Sequence, residues 1–297
     1  MLSQGLRSLS LFAICVSSLH AASFELPPLN SPPSTEHHVG KVVWADLVTP
    51  SLNTAEKFYG GLFGWSFQKI QAGDSEYVIA IEGGRPVAGL IEKPIPVANR
   101  RQSAWLTFIA VRDVDAVKRT VLAQKGKVIS DSVTYTMRGR QAVLADPEGA
   151  VFAILASSSG DPPDYLAAPG EWIWSSLHAK NPEVEAAFYQ TVFGYDVFDA
   201  ENTDGIEHLI LSSDDYARAS VNSFPDNQGH RHAHWLNFIR VEHAADMAAR
   251  AVSLGGRVLV EPRADRHGGM VAVVADPAGA PVGLMEWSET DTKAEPK

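Results

Sequence analysis

Three histidines, His230, His232 and His234, occupy every second position of the segment GHRHAHW (229–235). In a β-strand, side chains two residues apart point to the same face of the sheet. Imidazole is a common metal ligand and titrates near neutral pH. The spacing is therefore compatible with a metal site, or with a solvated turn rich in imidazole. The choice between them depends on the element that carries the segment.

An internal repeat with a constant offset of 130 residues defines that element. The matching pairs are FYGGLFGW (58–65) with FYQTVFGY (188–195), ADPEGA (145–150) with ADPAGA (275–280), Trp44 with Trp174, and Trp105 with Trp235. The repeat predicts two homologous domains, residues 39–157 and 171–289. A linker rich in Ser, Gly and Pro, residues 158–170, joins them.

Within each domain the hydrophobic pattern changes from alternating to helical and back. In the first helix, apolar residues recur at helical spacing, and Gly64 follows as a stop signal. Asp113 is suited to begin the second helix, and Asn181 with Pro182 to begin the third. The predicted order is β-α-β-β-β, twice in each domain and four times in the chain. The fold class is α+β.

This combination of motifs resembles the vicinal oxygen chelate superfamily, which includes glyoxalase I, extradiol dioxygenases and bleomycin resistance proteins. The resemblance rests on FYGGLFGW (58–65), on VRDVDA (111–116) opening a helix and on DPEGAVF (146–152), and it covers both domains. It implies that each pair of β-α-β-β-β units curls into an open barrel, or cup, with the helices outside. In metal-dependent members, a divalent ion in the cup binds vicinal oxygens of the substrate as a Lewis acid.

The ligands that the resemblance implies are missing at their usual positions. These positions hold Trp44, Leu106 or Thr107, and Ala153 in the first domain, and Trp174, Leu236 or Asn237, and Gly283 in the second. None of these residue types is a good ligand for zinc or iron. We therefore expect no cofactor at the usual site. A divalent metal remains possible only at a non-standard site, for which His178, His234 and Glu286 are the candidates; the odd step from Gly283 places Glu286 on the opposite strand face.

Strand alternation indicates which polar side chains share the cups. Asp46 and Val48 share the face of Trp44, and Ser176 and His178 share that of Trp174. Asp46 is a candidate general base if burial raises its pKa, although it is equally suited to bind a backbone amide. His178, which replaces Val48, is the second catalytic candidate. The predicted ligand contacts are Trp44, Trp105, Trp174, Ser176 and Trp235, with packing as the alternative role for the tryptophans.

The ends of the chain predict export. Residues 1–22 have one charge, a short apolar run and small residues before a cleavage point near Ala21 or Ala22, as a signal peptide does. Acylation of Cys15 and a frayed cytoplasmic terminus are the alternatives. Residues 23–38 are predicted to be a proline-rich linker and residues 290–297 a disordered tail. After cleavage no cysteine remains, and the protein is expected in the periplasm or the medium.

The overall composition and charge favour a small molecule as the binding partner. The formal net charge is −10 and the pI about 5.4, without a basic cluster, which excludes nucleic acid and anionic membranes as expected partners. A homodimer is possible. Three functions remain: an exported lyase or dioxygenase-like enzyme without the usual metal ligands, a non-catalytic protein that sequesters a small molecule, and an interaction module with cups filled by side chains.

The repeat also indicates which of the three histidines faces the cup. Its counterpart in the first domain is NRRQSAW (99–105), in which Arg100 and Gln102 stand where His230 and His232 do. Those residue types indicate an exposed segment before the strand. Only His234 is expected to face the cup.

Overall fold

A computed structural model describes residues 25–72, 75–93, 103–200, 208–224, 232–265 and 269–287. The predicted signal peptide, Cys15, His230 and the tail 290–297 lie outside the described residues. None of the helices in the described ranges has the length and apolar character needed to cross a bilayer.

The order β-α-β-β-β is confirmed in all four units. The elements of the first domain are β1 (Val42–Thr49), α1 (Leu52–Phe63), β2 (Ser66–Ala72), β3 (Ser75–Glu82), β4 (Arg85–Glu92), β5 (Ala104–Ala110), α2 (Val114–Ala123), β6 (Lys127–Tyr135), β7 (Gly139–Ala145) and β8 (Val151–Ser157). Those of the second are β9 (Trp172–Ala179), α3 (Pro182–Phe193), β10 (Asp196–Asp199), β11 (His208–Ser213), β12 (Tyr216–Ser223), β13 (His234–Val241), α4 (Ala244–Ser253), β14 (Arg257–Ala264), β15 (Met270–Ala275) and β16 (Pro281–Glu286).

Each domain forms one eight-stranded mixed sheet. The strand order is β2-β3-β4-β1-β5-β8-β7-β6 in the first domain, and the second repeats it as β10-β11-β12-β9-β13-β16-β15-β14. The two units of a domain meet where their first strands pair antiparallel, with Asp46 opposite Leu106 in the first sheet. Because the two end strands do not pair, each sheet is an open barrel, as predicted.

The helices begin and end at the expected residues. The Ser51 hydroxyl accepts a hydrogen bond from the Thr54 amide at the start of α1, and Gly64 ends it with a φ of 82°. Asp113 caps α2 through the Ala116 amide, as predicted. Asn181 does not cap α3 with its side chain; its amide nitrogen instead donates to the Glu148 carboxylate of the first domain. Asn181, the predicted cap of α3, therefore makes a contact between the two domains.

The convex faces of the two sheets pack against each other through the helices. One buried cluster joins α1 and β4 of the first domain to β13, α4 and β16 of the second. A second joins α2 and β8 to β9 and α3. The helices are therefore outside the cups, as the resemblance implies, but between the two domains rather than in solvent. Both cups open away from this shared core.

Two equivalent tyrosines tie the domains together. The Tyr59 hydroxyl of α1 donates to Asp276 at 3.3 Å, and the Tyr189 hydroxyl of α3 donates to Asp146 at 3.1 Å. These aspartates open the repeated DPEGA and DPAGA segments, where the other carboxylate oxygen accepts the backbone amide of Ala150 or Ala280. The repeated motif thus forms a turn and presents a carboxylate to the partner domain.

Equivalent residues also meet at the centre of the interface. Thr107 and Asn237, which are 130 residues apart, hydrogen-bond to each other through their side chains at 2.9–3.1 Å. Contact between equivalent positions places the pseudo-twofold axis of the molecule between them. Neither residue faces a cup, so the predicted metal position at these two residues is not available to a ligand.

One buried carboxyl breaks the symmetry. Glu185 of α3 is fully buried beside Asp146, whereas its counterpart in the first domain is Ala55. Burial and the neighbouring Asp146 charge raise the pKa of Glu185, and burial raises that of Asp146. The pair therefore holds a proton at a pH where the unfolded chain has released it.

The substitution Glu185→Gln is expected to stabilise the protein at alkaline pH. The pKa of Glu185 is higher in the folded protein than its unfolded value of about 4.5. The stability that the protonated carboxyl contributes is therefore fully present below pH 4.5 and is lost as the pH rises through the folded-state pKa. The variant lacks this loss, so its melting temperature at pH 8 should exceed that of the wild type by about 3 °C or more. The difference should disappear near pH 4.5. Glu183→Gln, an exposed change on the same helix, is the control. An equal change in melting temperature for both substitutions would contradict the claim that Glu185 and Asp146 share a proton.

Candidate functional site

Four polar side chains cross the concave face of the second sheet at one level. His208, Asn222, His178 and His234 lie on the neighbouring strands β11, β12, β9 and β13 and are direct Cα partners. Side chains at the same level of neighbouring strands share one face of a sheet. We call these four residues the polar row. It brings together two residues that the sequence predicted, His178 and His234, and two that it did not.

Hydrogen bonds orient one end of the polar row. The Asn222 side-chain nitrogen donates to the Ser220 hydroxyl at 3.3 Å, which leaves its oxygen to face His208 Nδ1 at 2.8 Å. An amide oxygen only accepts, so Nδ1 of a neutral His208 carries the proton and Nε2 carries the lone pair. Asn222 thus sets the tautomer of His208. The constant offset of 130 does not place His208 at this level, because β11 and β12 follow their counterparts at an offset of 131 residues.

A second level of hydroxyl groups lies deeper in the same cup. Ser176 and Ser220 are Cα partners with hydroxyl oxygens 2.8 Å apart, and Trp174 Nε1 donates to Ser220 at 3.1 Å. Trp174 is half-buried and packs beside Phe238 and Met285. The predicted contacts Trp174 and Ser176 thus face the cup. Their surroundings combine an apolar floor with hydroxyl groups.

The other end of the polar row is a stack of flat rings. The imidazoles of His178 and His234 lie 5.4 Å apart with an interplanar angle of 20°, and Phe224 stacks on both. Near-parallel imidazoles do not point their nitrogens at one shared ion. This end of the row therefore offers a flat surface of the kind on which planar groups stack.

The equivalent level of the first sheet carries three aliphatic residues and one tyrosine. The partners there are Tyr77, Ile91, Val48 and Ala104, on β3, β4, β1 and β5. The twin domains thus share a backbone at this level and differ in all four side chains.

The first cup is filled by its own side chains. Asp46 is only 4% exposed, and one oxygen of its carboxylate accepts hydrogen bonds from Trp44 Nε1 at 2.8 Å and from the Tyr77 hydroxyl at 2.7 Å. A side chain added at Gly89, opposite Asp46, would overlap both Asp46 and Tyr77. Burial raises the pKa of Asp46, while the Tyr77 hydrogen bond and the Arg138 charge oppose that shift. The predicted catalytic residues Asp46 and His178 lie in different cups, so they do not act on one bound molecule together.

Residues 25–36, which we call the strap, cover the first cup. Leu26 is 4% exposed and belongs to the apolar cluster of this cup. The amides of Leu29 and Ser34 donate to the hydroxyl and carbonyl oxygens of Ser159, each at 2.9 Å. The described part of the predicted proline-rich linker 23–38 therefore packs on the first domain. Proline-rich composition predicted its extended form but not the surface on which it packs.

The residues at the family's metal positions do not fit a metal. The sequence placed the second ligand position of each domain at Leu106 or Thr107 and at Leu236 or Asn237. The register corrects this, because the residues level with both Trp44 and Ala153, and with both Trp174 and Gly283, are Phe108 and Phe238. The Phe238 ring occupies the space that a side chain at Gly283 would need. Aromatic rings and alkyl groups donate no lone pair to a divalent ion. Within the described residues, no group of three or more His, Cys, Asp and Glu side chains is arranged to hold a metal ion.

The remaining predicted site residues lie away from the cups. Glu286 accepts hydrogen bonds from the Ala244 amide at the start of α4 and from the Met270 amide, which matches the opposite face expected for it. His232 is exposed. The prediction that Trp105 and Trp235 contact the ligand is wrong. Each donates a hydrogen bond to a tyrosine hydroxyl in the core between the domains, at 3.0 Å. Their odd-numbered positions place them on the convex face, so a ligand in either cup does not reach them.

Comparisons with known proteins identify the family. Residues 37–154 match the model of the Glyoxalase/Bleomycin resistance protein/Dioxygenase superfamily, and residues 174–285 match a glyoxalase-like domain. The "Putative glyoxylase CFP32" of Mycobacterium tuberculosis (strain CDC 1551 / Oshkosh) is 31% identical over 251 residues, 84% of this chain and 95% of that protein. The chain therefore belongs to the Glyoxalase/Bleomycin resistance protein/Dioxygenase superfamily, the vicinal oxygen chelate group, with two tandem domains.

More distant similarities agree with this fold. The "Anthracycline biosynthesis protein DnrV" of Streptomyces peucetius is 28% identical over 262 residues, 84% of this chain and 94% of that protein. Among solved structures, the Mn(II)-bound glyoxalase from Novosphingobium aromaticivorans is similar with a TM-score of 0.57 and 15% identity, covering 84% of this chain and 83% of that one. An extradiol ring-cleaving dioxygenase from B. fuscum has a TM-score of 0.60 and 10% identity, covering 92% and 78%.

Removing the Asp46 carboxylate is expected to destabilise the protein strongly. In Asp46→Ala, the buried donors Trp44 Nε1 and Tyr77 OH lose their acceptor, at a cost of about 2–4 kcal/mol in unfolding free energy. Urea unfolding measures the loss. Ser176→Ala, the equivalent position of the second cup, is the control and should cost about 1 kcal/mol. Equal losses in the two variants would show that the first cup is not closed around Asp46.

Proposed function

We propose that this protein binds an oxygen-bearing small molecule in its second cup through hydrogen bonds, without a metal at the family's usual position. The polar row is the observation that carries the proposal. Four polar side chains stand where the otherwise similar first sheet carries a tyrosine and three aliphatic residues. Polar groups on a concave, largely apolar surface are the usual means of orienting a bound small molecule.

The side chains of the second cup indicate which class of ligand fits it. His208 is oriented by Asn222, the Ser176 hydroxyl is paired only with Ser220 among the described residues, and the His178 and His234 rings present a flat face. A planar or partly planar molecule with hydroxyl or carbonyl groups matches these features. Relatives named as a glyoxylase and as an anthracycline biosynthesis protein are consistent with a ligand of this kind.

Acid–base catalysis is the second candidate function, and the orientation of His208 favours it. A histidine that an asparagine side chain orients is suited to exchange a proton with a bound hydroxyl or carbon acid. A sequestering protein needs only the hydrogen bonds. Mass spectrometry of the bound compound after incubation distinguishes the two, because only an enzyme changes its structure.

Exchanging three residues of the polar row for those of the twin domain is expected to weaken binding while the fold is retained. The triple variant His178→Val, Asn222→Ile and His234→Ala carries side chains that the first sheet already accommodates at these positions. Thermal shift and calorimetry with alizarin, catechol and the hemithioacetal of methylglyoxal and glutathione measure binding. The wild type should bind at least one probe, and the variant should bind it at least about tenfold more weakly.

The control for this exchange is His232→Gln, an exposed histidine two residues before the row. It should bind like the wild type. Binding of a probe by the triple variant with unchanged affinity, or no binding of any probe by the wild type, would reject the second cup as the ligand site.

Removing metal is expected to leave binding and stability unchanged. The family's ligand positions carry Trp, Phe and Gly in the second cup, so a chelator has no bound ion to extract there. Dialysis against EDTA followed by addition of Mn²⁺, Fe²⁺ or Zn²⁺ should shift the melting temperature by less than about 1 °C. A larger stabilisation that depends on one metal, and is absent in His178→Val, would contradict this account of the cup.

A further inference from the structure

An arginine is buried in the first cup, and one of the two nitrogens on one edge of its guanidinium has no hydrogen-bond acceptor among the described residues. Arg138, in the turn between β6 and β7, is 1% exposed, and its guanidinium lies over the Trp44 ring at 4.2 Å. Its Nε donates to the carbonyl oxygen of Pro27 in the strap at 2.6 Å. Its Nη2 is buried and has no hydrogen-bond partner. A buried cationic nitrogen without an acceptor carries a desolvation cost that a bound group can remove.

The geometry of the guanidinium indicates which group that is. Nε and Nη2 lie on the same edge of the guanidinium and point two N–H groups in one direction. A carboxylate accepts both with its two oxygens, whereas the single carbonyl oxygen of Pro27 accepts only one. The strap therefore satisfies half of an edge that a carboxylate satisfies completely.

We propose that the first cup is a second binding site, specific for a small-molecule carboxylate held by Arg138, and that residues 25–30 of the strap occupy it when no such molecule is present. The site is independent of the proposed ligand site in the second cup, since the two cups open on opposite sides of the shared core.

The side chains around Arg138 favour a carboxylate with an apolar or aromatic body. Leu26 of the strap fills the apolar part of the cup beside Trp44, Tyr77 and Tyr135. A ligand that displaces the strap takes over this space as well as the Nε hydrogen bond. Burial raises the pKa of Asp46 in this cup, and the Arg138 charge opposes that shift.

The strap is held in a way that allows exchange. Its residues 25–30 pair with no strand, and between their ends the contacts inside the cup are the burial of Leu26 and the bond from Arg138 to Pro27, which a carboxylate with an apolar body would replace. At one end the Glu25 carboxylate accepts from Thr136, and at the other the Asn30 side chain donates to the carbonyl oxygens of Gly160 and Asp161 at 3.1 and 2.9 Å. Weakening the Asn30 anchor favours release of the strap without altering any side chain in the cup.

The test measures binding of benzoate, and of benzamide as its uncharged analogue, to the full chain by ligand-observed NMR and calorimetry. Wild-type protein should bind benzoate and not benzamide. Asn30→Ala should bind benzoate about tenfold more tightly, because the competing strap is held less firmly. Arg138→Gln should not bind it, and Arg138→Lys, which keeps the charge but not the two-pronged edge, should bind at least about tenfold more weakly than wild type.

Two controls distinguish benzoate binding at Arg138 from binding in the second cup and from loss of the fold. The triple exchange in the second cup should leave benzoate binding unchanged, so failure of the proposed function does not affect this result. Circular dichroism establishes that the Arg138 variants are folded; if Arg138→Gln unfolds, the Arg138→Lys comparison decides. Equal affinity for benzoate and benzamide, an unchanged affinity in Asn30→Ala, or benzoate binding by Arg138→Lys as in the wild type would overturn the proposal.

Discussion

Mutual burial of the two convex sheet faces is the constraint on which the rest of the structure depends. Each helix packs on its own sheet and also on the other domain, since α1 and α2 of the first domain contact α4 and α3 of the second. Hydrogen bonds from Tyr59 to Asp276 and from Tyr189 to Asp146 align the halves around a pseudo-twofold axis. Because the convex faces form one core, both concave faces remain outside it, and each cup consists of strands from a single domain. A change in one cup therefore leaves the shared core and the other cup intact.

This independence accounts for the contrast between the cups. In the first, Asp46, Tyr77 and Arg138 fill the space, and the chain's own strap covers it. In the second, the same level of the sheet carries histidines, an asparagine and hydroxyl groups around an apolar floor. The metal positions of the family hold aromatic or alkyl groups in both. The two repeats thus carry one closed and one polar cup on a common framework.

The sequence predicted the framework well because the repeat and the period-two pattern are local. The constant offset located both domains, and alternation placed Trp44, Asp46, Trp174 and His178 on concave faces. His208 was missed because a one-residue change of offset in the loops moves it onto the polar row, which only strand register reveals. The same rule, applied strictly, places Trp105 and Trp235 on the convex face. Where the strap packs depends on long-range bonds to Ser159 and Arg138, and no local pattern encodes them.

The asymmetry between the cups is most directly tested by hydroxyl-radical footprinting of the full chain, read at Trp44 and Trp174. These tryptophans occupy equivalent positions of the two sheets, and only Trp44, 5% exposed, lies in the closed cup, whereas Trp174 is half-buried. The account predicts that Trp174 is oxidised several-fold faster than Trp44. Equal rates, or faster oxidation of Trp44, would show that the first cup is open in solution and would contradict the division between the two cups.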